Sequence, residues 1–289
     1  MTRRCTVLLS LSLAFLCAAL PAAAPPGAAR RVVSLVPAAT EILFAIGAGE
    51  AVVGVSSFDR HPPEVATKAR VGALVDPDIE RIFGLKPDLV VIYASQDELA
   101  AQLSRAGIRA HVYKHGGLAQ ITAAMRELGA ATGHETGAER AASAFEAAIA
   151  GVRAAVGTRE RPRTLLVFGR EPMSLRNVYA SGGIGFLHEA LVAAGGRNVF
   201  EDVARESVQA STELILARAP EVVLEIRAVG LLDRTSRARE EDVWRRLSSL
   251  PAVKNGRVHV LDGSALVVPG PRLAAGVELL AKTLHPGVL

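Results

Sequence analysis

The sequence predicts an α/β protein of two lobes, each a parallel-rich sheet flanked by helices, joined by one long α-helix. Three observations lead there. Short β-branched runs alternate with helical segments, which is the pattern of a mainly parallel sheet covered on both faces. An Ala-rich stretch without proline, Thr136 to Val156, breaks the alternation near the middle of the 289 residues. Two motifs that precede this stretch recur after it in the same order.

In the first lobe, Arg31 to Leu35 reads as a strand, and Pro37 leads into a helix over Ala38 to Ile46 that Gly47 and Gly49 stop. Ala51 to Val55 is a second strand and Asp78 to Leu85 a short helix. A buried strand at Asp88 to Ile92, a helix at Gln96 to Ala106, a strand at Arg109 to Tyr113 and a helix at Leu118 to Ala131 complete the lobe. Ala, Glu and Arg favour helix throughout Thr136 to Val156. Roughly 20 residues at 1.5 Å each span about 30 Å, enough for a stiff spacer. Gly157 to Pro162 closes it. In the second lobe, Thr164 to Phe168, Glu221 to Ile226 and Val258 to Leu261 read as strands. Ile184 to Ala194, Thr212 to Arg218, Glu240 to Leu250 and Arg272 to Leu284 read as helices.

The repeated motifs support duplicated lobes. Glu80 to Val91 matches Glu213 to Leu224: in each, Glu precedes Pro by seven positions, and an acid and a β-branched run follow. Glu41 precedes Gly47 by six, and Glu189 precedes Gly195 by six, each near the end of an apolar helix. The competing account is that any helix–Pro–strand turn uses such residues.

Residues 1–29 read as a secretory leader. Arg3 and Arg4 start it, Thr6 to Leu20 is apolar and uncharged, and Pro21 to Ala24 supplies small residues. The apolar run is too short for a stable membrane anchor. Lipid attachment at Cys17 is disfavoured because Leu16, not a small residue, precedes it. The expected organisation is thus a leader at 1–29, a first lobe at 30–135, a connecting helix at 136–157 and a second lobe at 158–289, exported to the periplasm. Both cysteines lie in the leader, and its removal takes away Arg3 and Arg4, leaving 31 basic against 29 acidic residues. The positive charges are scattered, which argues against a nucleic-acid partner. Aromatics make only 4% of the chain, so a ring-lined pocket has few candidates.

Two lobes on one connector enclose a cleft, and a cleft between α/β domains is a default ligand site. Motifs in the sequence then point to a family. Arg31 to Glu41 (RVVSLVPAATE), Val53 to Ser57, Pro62-Pro63, and Ile79 to Ile82 leading to Leu85-Lys86-Pro87-Asp88-Leu89-Val90 resemble the periplasmic cobalamin- and iron-chelate-binding proteins of ATP-driven importers. The resemblance runs from about Arg30 to Leu284. It implies two Rossmann-like lobes joined by one long α-helix, and no cofactor or catalytic residue of the chain's own. It also implies partners: an inner-membrane ABC permease with its ATPase, and a small-molecule metal-chelate ligand, cobalamin-like or a ferric siderophore or haem. The receptor is expected to act as a monomer.

The resemblance assigns permease docking to Glu80 and Glu213, one per lobe, where exposed carboxylates can pair with permease arginines. The alternative is an acid in the first turn of each helix, favoured by the macrodipole. Phe58 falls where the family has a pocket tyrosine, and Tyr93 where the cobalamin receptor has a tryptophan. Leu74 and Ser207 replace two other tryptophans. Arg60, Arg170 and Arg227 are candidates to hold an anionic chelate, or are solvated loop residues. Tyr179 and Ser181 lie in a Gly-rich stretch expected near the cleft. His61 is a candidate ligand for a cobalt or iron centre, or a plain loop residue. The seven histidines show no HxH or HExxH spacing, and nucleophile-elbow, P-loop and dinucleotide fingerprints are missing, so an exported α/β enzyme is the distant alternative.

Overall fold

The computed structural model describes residues 27–227 and 233–289. All but the last three positions of the expected leader, Cys5 and Cys17 among them, lie outside the described residues. In the first lobe β1 (Val32–Ser34) leads to α1 (Pro37–Ala45). Pro37 supplies the fixed φ that suits a first helical position, and Val36 before it stays extended. Then come β2 (Val52–Val55), β3 (Ala69–Arg70), α2 (Ile79–Gly84), β4 (Leu89–Tyr93), α3 (Asp97–Arg105), β5 (Arg109–Tyr113) and α4 (Leu118–Thr132). The sheet order is β3-β2-β1-β4-β5, with every pairing parallel. The order reverses between β1 and β4, so a crevice opens beyond the carboxyl ends of those two strands.

Gly133, at φ +72°, caps α4 and turns the chain into α5 (Glu135–Val156). The second lobe holds β6 (Arg163–Gly169), β7 (Val178–Ser181), α6 (Phe186–Ala193), β8 (Arg197–Asn198), β9 (Ser207–Ala210), α7 (Thr212–Arg218), β10 (Val222–Arg227), α8 (Arg234–Asp242), α9 (Pro251–Lys254), β11 (Val258–Asp262) and α10 (Leu273–Leu284). Its order is β11-β10-β6-β7-β9, with β8 beside β6. β10 runs parallel to both β6 and β11, whereas β7 is antiparallel to β6 and β9.

Both sheets are parallel-rich as expected, with one addition and one correction. The second sheet gains an antiparallel edge of β7 and β9, whose segments VYAS and SVQA carry one β-branched residue each and so do not stand out as strands. The helix expected at Glu240 to Leu250 lies earlier: Asp233 caps α8 by accepting from the Ser236 N–H at 2.7 Å. A short 3₁₀ turn over Val243–Leu247 follows. Glu240 is the buried residue of α8, so the helix has no apolar stripe to advertise it.

The connector α5 is 22 residues, about 33 Å. It buries Ala138, Ala142, Phe145, Ile149, Val152 and Val156, one side of the helix. That side packs on α4 of the first lobe and α10 of the second, so α5 clamps the lobes together rather than spacing them apart. One apolar core runs unbroken through both lobes, joining Val32 and Leu43 to Phe145, Leu191 and Leu280. Among the described residues no helix is long and apolar enough to cross a membrane.

Candidate functional site

The crevice beyond β1 and β4 faces the ends of β6 and β10, and a cavity of about 520 Å³ lies between them. Val36 and Pro37 follow β1, Tyr93 ends β4, and Phe168 and Ile226 sit near the ends of β6 and β10, all in its wall. These are the places the strand orders dictate. Phe186, at the start of α6, and Val267, Val268 and Pro269, ahead of α10, close the far side. The polar groups on the wall are few: two tyrosine hydroxyls, His115, Glu206 and Ser207.

A second chamber of about 580 Å³ shares Pro37, Val267 and Val268 with the first. Phe58, Arg60 and His61 line it from one side, and Glu41 and Arg272 form an ion pair in its wall. The site is therefore an apolar chamber adjoining a charged one.

Tyr113 and His115 are site residues that sequence reasoning missed. The Tyr113 hydroxyl donates to the Pro269 carbonyl at 3.1 Å, crossing between the lobes. Burial pushes its phenol well above the ordinary range, and Tyr93 adds to that. Burial, then the Asp59 charge, also raises Tyr93. His115 presents its ring edge-on to Phe186, centroids 5.7 Å apart at 86°. Its Nε2 lies 3.7 Å from Glu206 Oε2. A cleft-facing strand end was the available signal for Tyr113, which ends β5 next to Tyr93 in register.

Phe58 is 68% exposed, Arg60 is exposed and His61 is half-buried, all on the loop after β2. Asp59 fixes that loop: its Oδ2 accepts from the Ser56 N–H at 2.7 Å, and Arg70 ties the Ser56 and Asp59 carbonyls, each at 2.9 Å. Burial pushes the Asp59 carboxyl up to about 6. Arg60 donates to the Ser57 carbonyl at 2.8 Å.

Four other expected site residues stand elsewhere. The Arg170 side chain is fully buried, donating to Glu225 Oε2 at 2.9 Å and Glu240 Oε2 at 2.7 Å. Arg227 lies 2.6 Å from Glu225 Oε1, without hydrogen-bond alignment, and donates to Glu240 Oε2 at 2.9 Å. Trp244 is fully buried and donates its indole N–H to Glu225 at 2.9 Å. Two arginines and two glutamates thus neutralise each other inside the second lobe, and neither arginine is in the wall of a chamber. Tyr179 is on β7, 40% exposed, beside Phe168 with centroids 6.5 Å apart, and outside both chamber walls. Ser181 is fully buried, donating to the Gly182 carbonyl at 3.1 Å, so it holds the loop before α6.

Glu80 and Glu213 are both exposed, each the second residue of its helix. Both helices are capped alike. Asp78 accepts from the Arg81 N–H at 3.0 Å and Ser211 from the Leu214 N–H at 3.2 Å. Glu213's own backbone N–H and the Ser211 hydroxyl hold its carboxyl below the usual range. Among the described residues no three His, Cys, Asp or Glu side chains group as a metal site.

Residues 32–265 match the family described as periplasmic binding protein. The chain belongs to this family. It is 29% identical to the uncharacterized ABC transporter substrate-binding lipoprotein YvrC of Bacillus subtilis (strain 168), over 89% of this chain and 80% of that one. It is 32% identical to the vitamin B12-binding protein of Salmonella typhimurium (strain LT2), over 78% of this chain and 81% of that one. Among solved structures, the periplasmic heme-binding protein RhuT from Roseiflexus sp. RS-1 matches with a TM-score of 0.74 at 27% identity, covering 90% of this chain and 99% of that one. These relatives are solute-binding proteins, not enzymes. Substrate-binding proteins of ABC importers work with a membrane permease and an ATPase.

Proposed function

We propose that this periplasmic binding protein captures a corrinoid, a cobalamin-like metal macrocycle, between its lobes and hands it to an inner-membrane permease. The carrying observation is the pairing of chambers: an apolar one walled by Tyr93, Phe168 and Phe186, next to a charged one bearing Arg60 and His61. A broad ring with apolar faces suits the first, and polar substituents suit the second. An anionic siderophore fits less well, because Arg170 and Arg227 are already neutralised by Glu225 and Glu240. The vitamin B12-binding relative supports the corrinoid reading. Haem is the second reading, favoured by the exposed His115 imidazole on the wall of the apolar chamber and by the heme-binding neighbour. Glu80 and Glu213 take the permease-facing role in this scheme.

Equilibrium dialysis with cyanocobalamin tests the reading. Wild type should bind saturably, and Tyr93→Ala and Phe168→Ala should each weaken binding by about tenfold or more, the loss of one buried ring face. Equal affinity in wild type and both variants would remove the apolar chamber from the binding site. Tight binding of haem with none of cyanocobalamin would select the second reading.

A further inference from the structure

The Glu–Gly motif repeated at Glu41 and Glu189 is not used by the proposed ligand contacts, and the structure gives it a different place. Glu41 is on α1 of the first lobe. It accepts two hydrogen bonds from Arg272, at 3.0 Å to Oε2 and 2.6 Å to Oε1, and Arg272 is the capping residue of α10 in the second lobe. Glu189 is on α6 of the second lobe. Its Oε2 accepts from the Leu118 N–H at 2.7 Å, and Leu118 is the first residue of α4 in the first lobe. The two contacts are counterparts: a carboxylate on each lobe's leading apolar helix reaches the start of the other lobe's last helix. Both carrier helices end at left-handed glycines, Gly47 at φ +92° and Gly195 at φ +83°.

The receiving sites are shaped for this approach. A Cβ on Gly117 would lie 1.9 Å from Glu189 Oε1, and one on Gly270 would lie 3.1 Å from Glu41 Oε2. Carboxylates at helix N-termini meet the positive end of the dipole, and charge-assisted hydrogen bonds of this length are the stronger kind. The shared apolar core holds the lobes together without fixing a direction. Two directional contacts of opposite origin, three hydrogen bonds in all, do fix one, beside the Tyr113–Pro269 bond at the cleft. Glu41 and Arg272 also line the second chamber, so one of these contacts stands at the edge of the ligand site.

We propose that Glu41 and Glu189 are positioning residues, a reciprocal pair of straps that holds the two lobes at one angle and keeps the cleft preformed. The lobe angle follows from the geometry alone; only the effect on affinity rests on the proposed function. Pulsed dipolar spectroscopy between spin labels at Ser104→Cys and Ala217→Cys, exposed positions on α3 and α7, tests it. The background is the full chain with Cys5→Ser and Cys17→Ser. The reference protein should give one narrow distance, and Glu41→Ala with Glu189→Ala should broaden it. Glu189→Gln should stay narrow, because the amide oxygen still accepts from Leu118. Gly117→Ala should broaden the distance alone, with no charge removed and no positive φ involved, so it decides the matter if the double variant does not fold. If the competent arrangement falls to about a tenth of the population, cyanocobalamin affinity drops about tenfold. A narrow, unchanged distance in the folded double variant or in Gly117→Ala overturns the proposal. The distances judge the straps even if no cyanocobalamin binds, so failure of the straps and failure of the ligand reading are distinguishable.

Discussion

Tyr113 shows how a single hydroxyl joins the two lobes at the cleft. Its partner is the carbonyl of a buried proline, Pro269. Tyr113→Phe should cost about 1–2 kcal/mol in urea denaturation, the desolvation of a carbonyl left unpaired. No loss would mean that the contact is incidental. Asp59 makes a prediction about pH. Its carboxyl is raised from 3.8 to about 6 by burial, so the folded state holds this proton more tightly than the unfolded chain does. The contribution is therefore fully present below pH 4 and is lost as pH rises through about 6. A shift of about two units corresponds to about 3 kcal/mol. Asp59→Asn lacks this dependence, so wild type should gain stability relative to Asp59→Asn as pH falls from 7 to 4. Parallel stability curves would contradict the buried carboxyl. At this scale two ring positions were legible: Phe58 and Tyr93 face chambers because a strand end and the loop after a strand point there, whereas Tyr179 stands outside both walls and Tyr113 was missed. Arg170 and Arg227 were misplaced for a physical reason. Glu225 and Glu240 are 55 and 70 positions from Arg170, so chain spacing does not reveal those partners, whereas Glu225 stands two positions before Arg227 on the same face of β10.

Elements show the same division between local and non-local causes. α5 was legible nearly to the residue, since a long proline-free run of good helix formers needs no partner to declare itself. Its packing was not legible, because that depends on where α1, α4 and α10 end up. Gly137 lies where α5 crosses the end of α1, and a Cβ there would fall 2.0 Å from the Ile46 carbonyl oxygen. Gly137→Ala should therefore lower stability by about 1–3 kcal/mol in thermal denaturation, despite its better helix propensity. A gain in stability would show that α5 can lift off the first lobe. The ion-pair network at the end of β10 is linked through shared carboxylates, Glu225 and Glu240 each facing both Arg170 and Arg227. Glu225→Gln should cost about 3–5 kcal/mol, because it leaves Arg170 and Arg227 short of a counter-charge. A near-neutral result would mean that Glu240 alone suffices.

The whole molecule is a pair of sheets with a shared core, and that core limits how far the lobes separate. Free and ligand-bound scattering curves should therefore give nearly the same radius of gyration, and a large change would contradict the shared core. Glu80 and Glu213 project from opposite lobes on helices that are each capped by a side-chain oxygen two positions before the glutamate. Reversing both charges, Glu80→Arg with Glu213→Arg, should abolish uptake into cells while cyanocobalamin affinity stays unchanged. Lost affinity would place these glutamates at the ligand instead of the permease. The most direct test of the account is a visible-absorption titration of the protein with cyanocobalamin set against an anionic ferric catecholate. The predicted result is a saturable spectral change with the corrinoid at one site per chain and none with the catecholate. A saturable response to the catecholate alone would contradict an apolar chamber built for a metal macrocycle.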